Sequence, residues 1–269
     1  MRRPIQIIHV APGSAASSFT RCYLHLGNGA HASVVENFIA ADSTCGHRAN
    51  DAIIVLVGNQ AALSYLRMGA DAADAVNVSS GIIVVSAKAK LNLFNMTHGG
   101  AVSRYQVFVT LAGEGAELSV NGLNLLKHTQ HADATLVVDH AFPHCTSRNN
   151  FHAVVDDDGR SVFQRRIIVR PHARKTDAKL TTRALLLSDQ SEADNKPEFE
   201  IFADDVSCAH GATSGALDEN LLFYLRARGI SERDSQALLI KAFLAEGIAD
   251  GKLRDIATAQ TEGWLEARR

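Results

Sequence analysis

From Ile5 to about Ile201 the apolar residues of this chain come in short runs instead of the three-and-four spacing of helices. IIVLV at 53–57, GIIVV at 81–85 and RRIIV at 165–169 are rich in β-branched residues and read as strands. Small, turn-forming segments, LGNGA at 26–30 and AGEGA at 112–116, interrupt the runs too often to leave long helices between strands. The pattern predicts a mainly β body and argues against a doubly wound parallel sheet.

The runs also repeat. GNGAHASVVEN from Gly27, GNQAALSYLRM from Gly58, SAKAKLNLFNM from Ser86 and GEGAELSVNGL from Gly113 align at offsets of 31, 28 and 27 residues. Each copy is a small or polar turn followed by alternating apolar positions. A unit of about 20 to 30 residues is the length of one solenoid rung, in which each coil buries its apolar side on its neighbours. A β-sandwich of repeated hairpins has the same period, but the pattern favours the solenoid. The alternation then predicts that Leu63, Leu91 and Leu93 point inward.

After Gly215 the periodicity changes. LDENLLFYLRARGI places Leu221, Leu222, Tyr224 and Leu225 on one helical face, with Asp218 as N-cap and Gly229 just past the C-terminus. A second helix starts at Ser231, with acidic Asp234 in its first turn and a stripe of Leu238, Leu239, Ala242 and Phe243, and ends near Gly247. A third carries Leu253, Ile256 and Trp264. The boundaries predicted are a β body over 1–215 and a helical domain over 216–269 that caps or adjoins it.

Composition narrows the function classes. Of 269 residues, 27 are basic and 29 acidic, a net charge of -2 that lacks the excess of Lys and Arg nucleic-acid binding demands. No apolar run approaches the roughly 18 to 20 residues of a membrane span, and MRRPIQIIHVAP lacks the features of a signal peptide, so the expectation is a soluble cytoplasmic protein. Cys22, Cys45, Cys145 and Cys208 form no CxxC pair, which argues against a disulfide framework or zinc knuckle. All 12 histidines lie at or before His210, so ligand-type residues belong to the β part.

Several candidate motifs reduce to structure. In HTQH at 128–131 the two histidines would point oppositely on a strand, and with PHC at 143–145 they read as packed or solvent-facing side chains. DDDG at 156–159 reads as a turn, because Asp-Gly follows FHAVV and precedes RSVFQ without a spaced ligand series. Gly27, Gly29, Gly113 and Gly115 recur with the repeat and read as rung turns, not phosphate loops. No GxSxG occurs.

Cys208 and His210 are different. They flank one residue, follow Asp204 and Asp205, and fall where the β body meets the helices. At i and i+2 on an extended segment their side chains share a face, and a thiolate with an imidazole suits iron, zinc or copper. Two ligands do not complete a site, so another chain would supply the rest. A buried cysteine beside a hydrogen-bonded histidine explains the same residues without a metal.

The chain resembles the SufB/SufD family of the SUF iron-sulfur cluster assembly machinery, its SufD branch in particular. The likeness rests on KTDA at 175–178, LLLS at 185–188, KPEFEIFADDVSCAHGAT at 196–213 and LFYLRARGI at 222–230, in that order. His210, Gly211 and Ala212 stand where SufB members tend to carry His-Glu-Ala. The resemblance implies a right-handed parallel β-helix (solenoid) followed by a small C-terminal helical domain. It further implies a non-catalytic scaffold that pairs with a SufB-like subunit through the β-helix, or with itself, and docks a SufC-like ATPase on its helices. Cys208 and His210 would take part in a transient iron-sulfur cluster shared with the partner, none being tightly bound by the isolated chain. Leu222, Phe223, Tyr224, Arg226 and Arg228 would meet the ATPase. SufD proteins are usually longer, with an N-terminal helical domain before the β-helix, whereas strand-like sequence begins here almost at once. Two rivals make different demands: a polysaccharide-active β-helix enzyme needs carboxylates converging on an exposed groove, and a purely structural homodimer needs an inert, buried Cys208.

Overall fold

The computed structural model describes residues 3–11, 16–40, 46–248 and 254–267. Cys45 and Leu253, named above, lie outside the described residues. Among the described residues fifteen strands come first: β1 (Ile5–Ala11), β2 (Ser17–Leu26), β3 (His31–Ala40), β4 (Arg48–Val57), β5 (Ala62–Ala70), β6 (Val76–Val85), β7 (Lys90–Thr97) and β8 (Val102–Leu111). They continue with β9 (Glu117–Leu126), β10 (His131–His140), β11 (Thr146–Val155), β12 (Arg160–Val169), β13 (Asp177–Leu186), β14 (Glu192–Ile201) and β15 (Ser207–Gly215). Three helices follow: α1 (Glu219–Arg226), α2 (Glu232–Gly247) and α3 (Arg254–Ala267).

Odd strands form one eight-stranded sheet and even strands one seven-stranded sheet, each in sequential order. Adjacent strands in both sheets are parallel, from β1 with β3 and β2 with β4 to β13 with β15 and β12 with β14. Each coil therefore adds one strand to each sheet, which is a solenoid; hairpins would have paired sequential strands antiparallel, so the sandwich is excluded. His31 lies beside Ala62, Ala62 beside Lys90 and Lys90 beside Glu117, spacings of 31, 28 and 27 that match the repeat offsets.

A left-handed corner keeps the coils in step. Gly29, Gln60, Lys88, Gly115, His144, Lys175 and Asp205 all have φ between 54° and 69°, and each stands two residues before an odd strand. The backbone N–H of Gln60 donates to Ala87, that of Lys88 to Glu114 and that of Lys175 to Asp205, so each corner is tied to the next coil. Glycine reaches this region without a Cβ clash, but only two of these corners use it; the others pay the strain from the stacking they join. DDDG is likewise a turn, joining β11 of one sheet to β12 of the other, with the positive φ at Asp157 (52°) and not at the glycine.

Between the sheets lies the main core, where Leu63, Leu91 and Leu93 are each 1% exposed, as the alternation predicts. A second core forms outside the eight-stranded sheet. Leu66, Met96, Leu123, Leu125 and Val154 point outward and are covered by Ile240, Leu244, Ala257 and Trp264 of α2 and α3. The helices thus adjoin the flank of the solenoid. The stripe expected on α2 is rotated in the fold: Ile240, Leu244 and Gly247 are buried, Leu239 and Phe243 half-buried, and Leu238 and Ala242 exposed. Packing selects this face because Gly247 sits on His152 of β11, where a Cβ would approach the ring to 2.8 Å. The caps are as expected: Asp218 accepts from the backbone of Asn220 and Leu221, and Ser231 from that of Asp234.

Candidate functional site

β15 is the last strand of its sheet and β14 the last of the other, so together they form one open end of the solenoid. Cys208 stands beside Ala178 and His210 beside Leu180. Through β13 and β11 these positions continue the interior rows: Ala178 lies beside Ser147 and Leu180 beside Asn149. Both side chains therefore face between the sheets, the shared side their spacing predicts. With no further coil above them they are half-buried and exposed, respectively.

Cys208 packs against the main core, and burial pushes its thiol up; a backbone hydrogen bond at Ala178 works against that and the Asp177 carboxylate adds to it. In this chain alone the sulfur is a protonated thiol at neutral pH, and a metal or cationic partner must draw off its proton before it can ligate. The His210 imidazole lies on the Phe199 ring of β14, with centroids 5.3 Å apart and planes 11° apart. That stack joins the last strands of the two sheets.

The neighbouring carboxylates do not join the pair. Asp205 is a corner residue whose carboxylate lies 2.6 Å from Lys175 Nζ, and Asp204 is exposed in the same turn. Among the described residues no group of three or more His, Cys, Asp or Glu side chains could hold a metal ion. The other motifs stay apart as well. His128 is a turn residue 3.1 Å from Asp157, and His144 a corner residue 4.0 Å from Glu114. Cys145 is fully buried with its thiol on the Gly113 carbonyl at 3.3 Å, and burial raises its pKa.

α1 buries none of its residues and rests on α2. The stripe expected there is divided: Leu222 and Leu225 are half-buried, while Leu221 and Tyr224 are 49% and 53% exposed; Phe223, outside that stripe, is 74% exposed. The Arg228 guanidinium stacks on the Tyr224 ring at 3.5 Å, and Arg226 lies 3.5 Å from Glu232. The five residues named for docking thus form an apolar and basic surface, two aromatic rings bordered by two guanidinium groups.

Sequence reasoning passed over the charged residues inside the solenoid. Glu36, Asp51, Arg67 and Arg165 are 3–6% exposed. Arg67 continues the inward alternation of Leu63 and Tyr65 in LSYLRM at 63–68, and that phase was the signal that would have found it. Arg165 is stacked between Phe151 and Phe163, at 3.9 and 4.7 Å, and donates to Thr182; burial pushes its pKa down to about 9.

Among the described residues no helix is long and apolar enough to cross a membrane. The family model for the SUF system FeS cluster assembly SufBD core domain matches residues 9–243. The chain is 33% identical over 248 residues to the iron-sulfur cluster assembly protein SufD of Escherichia coli, covering 91% of this chain and 58% of that one. It is 28% identical to the chloroplastic protein ABCI7 of Arabidopsis thaliana, covering 91% and 52%, and 26% identical to SufD of Bacillus subtilis, covering 90% and 56%. The chain spans between half and three-fifths of the length of these relatives. With a parallel β-solenoid, the motif around Cys208 and the match over most of its length, this chain belongs to the SufBD family of SUF-system iron-sulfur cluster assembly proteins.

Proposed function

We propose that this chain is a SufD-like scaffold subunit that helps hold a nascent iron-sulfur cluster and catalyses no reaction itself. The observation that carries the reading is the placement of Cys208 and His210 side by side on the inner face of a terminal strand whose outer edge has no partner strand among the described residues. Two ligands at an open edge suit a cluster completed by a second subunit. β15 reads SCAHGATSG, without a charge or a proline, so its free backbone edge lacks the devices that discourage strand pairing. β14 carries Pro197 and several charges. A SufB-like subunit, or a second copy of this chain, fits against that end in a cytoplasmic assembly.

The helical part, 216–269, serves in this reading as the docking domain for a SufC-like ATPase, with Leu222, Phe223, Tyr224, Arg226 and Arg228 as the contact. The supporting observation is the exposed aromatic and basic surface of α1, which the solenoid does not use. Tagged chain recovered from its native cell should bring down an ATPase and a SufB-like subunit. Cys208→Ser with His210→Ala should lower cluster yield in that complex while leaving its composition and melting temperature nearly unchanged. Full cluster yield in the double variant rejects the site, and loss of yield in step with loss of stability makes the pair structural.

A further inference from the structure

The outer face of the seven-stranded sheet changes character along the solenoid. Tyr23 of β2, Ile54 of β4, Ile82 of β6, Phe108 of β8 and Val137 of β10 stand side by side as one outward row, one residue per coil. The row then passes to Arg166 and Glu198, which pair with each other at 3.2 Å. Tyr23, Ile54, Ile82 and Phe108 are 63%, 42%, 49% and 41% exposed, and Val137 is half-buried. On the eight-stranded sheet the outward apolar side chains are covered by α2 and α3. Among the described residues the row on the seven-stranded sheet has no such cover.

On one side of the row Leu56 lies beside Val84, and on the other Ala52 lies beside Ser80, all four half-buried. The outward positions of β2, β4, β6 and β8 include no carboxylate. Their arginines stand to the side: Arg21 donates to the Thr20 and Asn50 carbonyls of its own sheet, Arg104 lies 3.7 Å from Asp133, and Arg48 opens its strand. Five ten-residue strands, about 4.8 Å apart with about 3.3 Å per residue, present roughly 800 Å². A standard protein interface buries about 800 Å² on each partner.

We propose that this face joins two copies of the chain, sheet on sheet, about a two-fold axis that runs along the row and parallel to the solenoid. The axis lays the apolar row of one copy on the same row of the other. It also sets Ala52 and Ser80 of each copy against Leu56 and Val84 of the second copy, so that small side chains meet large ones. A two-fold axis along the strands through Ile82 would instead set Val84 on Val84 and Ser80 on Ser80, large on large and small on small. The face is therefore self-complementary about one axis, which is what singles out a second copy as its occupant. Neither β15 nor α1 takes part, so this contact stands or falls independently of the scaffold reading.

In a Cys208→Ser background, Ile82→Cys should cross-link to itself under mild oxidation, because the axis brings the two Ile82 positions together. Gln164→Cys, outward on β12 among the charged coils, should not. Both changes touch only outward side chains, so a missing cross-link is not a failure to fold. Sedimentation of the full chain should show a concentration-dependent dimer that Ile82→Glu weakens at least tenfold with the melting temperature unchanged. No cross-link at Ile82→Cys, equal cross-linking at both cysteines, a chain that stays monomeric, or an association that Ile82→Glu leaves intact each overturns the proposal. Cross-linking of Ile82→Cys only to a different protein, in the complex recovered from the native cell, assigns the face to that protein and overturns it as well.

Discussion

The imidazole of His210 lies nearly parallel to the ring of Phe199, 5.3 Å away, and this pair spans the last strands of the two sheets. His210 would otherwise be an exposed side chain free to change rotamer, since no coil follows it. Phe199 thus orients a candidate ligand from the opposite sheet. Phe199→Leu should lower cluster yield in the reconstituted complex several-fold, with a stability loss of about 1–2 kcal/mol for the ring atoms lost at a half-buried position. Equal yield with a shifted melting curve would assign Phe199 to packing alone.

The corner residues give a stability prediction with a sign. Lys88 has φ 54° where Gly115, one coil on, has φ 69°. A non-glycine residue in this region costs about 1–2 kcal/mol, partly offset by the greater unfolded-state entropy of glycine. Lys88→Gly should therefore stabilise the chain by about 0.5–1 kcal/mol in urea unfolding. Gly115→Val should destabilise it by more than 1 kcal/mol. A destabilised Lys88→Gly variant would mean that the side chain, and not the backbone, governs that corner.

Gly247 meets the His152 ring so closely that any larger residue must shift α2. Gly247→Val should cost about 1–3 kcal/mol by overpacking and expose the outward row of Leu66, Leu123 and Leu125, read as increased binding of a hydrophobic dye. Deleting 219–269 should bare the same row and cause aggregation, so docking of an ATPase is better tested by Phe223→Asp, which touches only exposed surface. That variant should lose the ATPase and keep its melting temperature.

Burial pushes His140 and His152 each down to about 4; for His152 the nearby Arg183 and Arg165 add to it. In the unfolded chain both return to about 6.5. Their folded pKa values are depressed, so the unfolded state binds more protons between these limits. Stability is fully present above about pH 6.5, falls as pH drops toward 4 and levels below it, by about 3 kcal/mol per histidine. His152→Phe, which removes no hydrogen bond, should flatten the pH dependence of unfolding between 6.5 and 4 by one proton. The same slope in variant and parent would contradict the buried neutral imidazole.

Arg165 is a buried cation whose neighbours are two phenyl rings and the Thr182 hydroxyl. Replacing a poorly compensated buried charge with an apolar side chain of similar length is often neutral or stabilising by about 1–4 kcal/mol. Arg165→Met should leave the melting temperature unchanged or raise it by a few degrees. A drop corresponding to more than about 2 kcal/mol would show that the guanidinium is held by more than its stacking.

The period of the β part was readable along the chain because every rung repeats the same local event, a turn and then alternating side chains. That fixed the coil offsets of 31, 28 and 27 and the inward phase of Leu63, Leu91 and Leu93. The shared face of Cys208 and His210 followed from the same alternation, and the caps at Asp218 and Ser231 from local hydrogen bonding. Contacts between residues distant in sequence were not readable in this way. Which face of α2 is buried depends on His152, some 95 positions before Gly247, and the stripe read from α2 alone was turned away from it. The same holds for the stack of Phe199 on His210, which requires two different sheets to end at the same level. Burial of Glu36, Asp51, Arg67 and Arg165 belongs with these: alternation can place a charge inside, but only the facing sheet supplies the rings and hydroxyls that make it tolerable there.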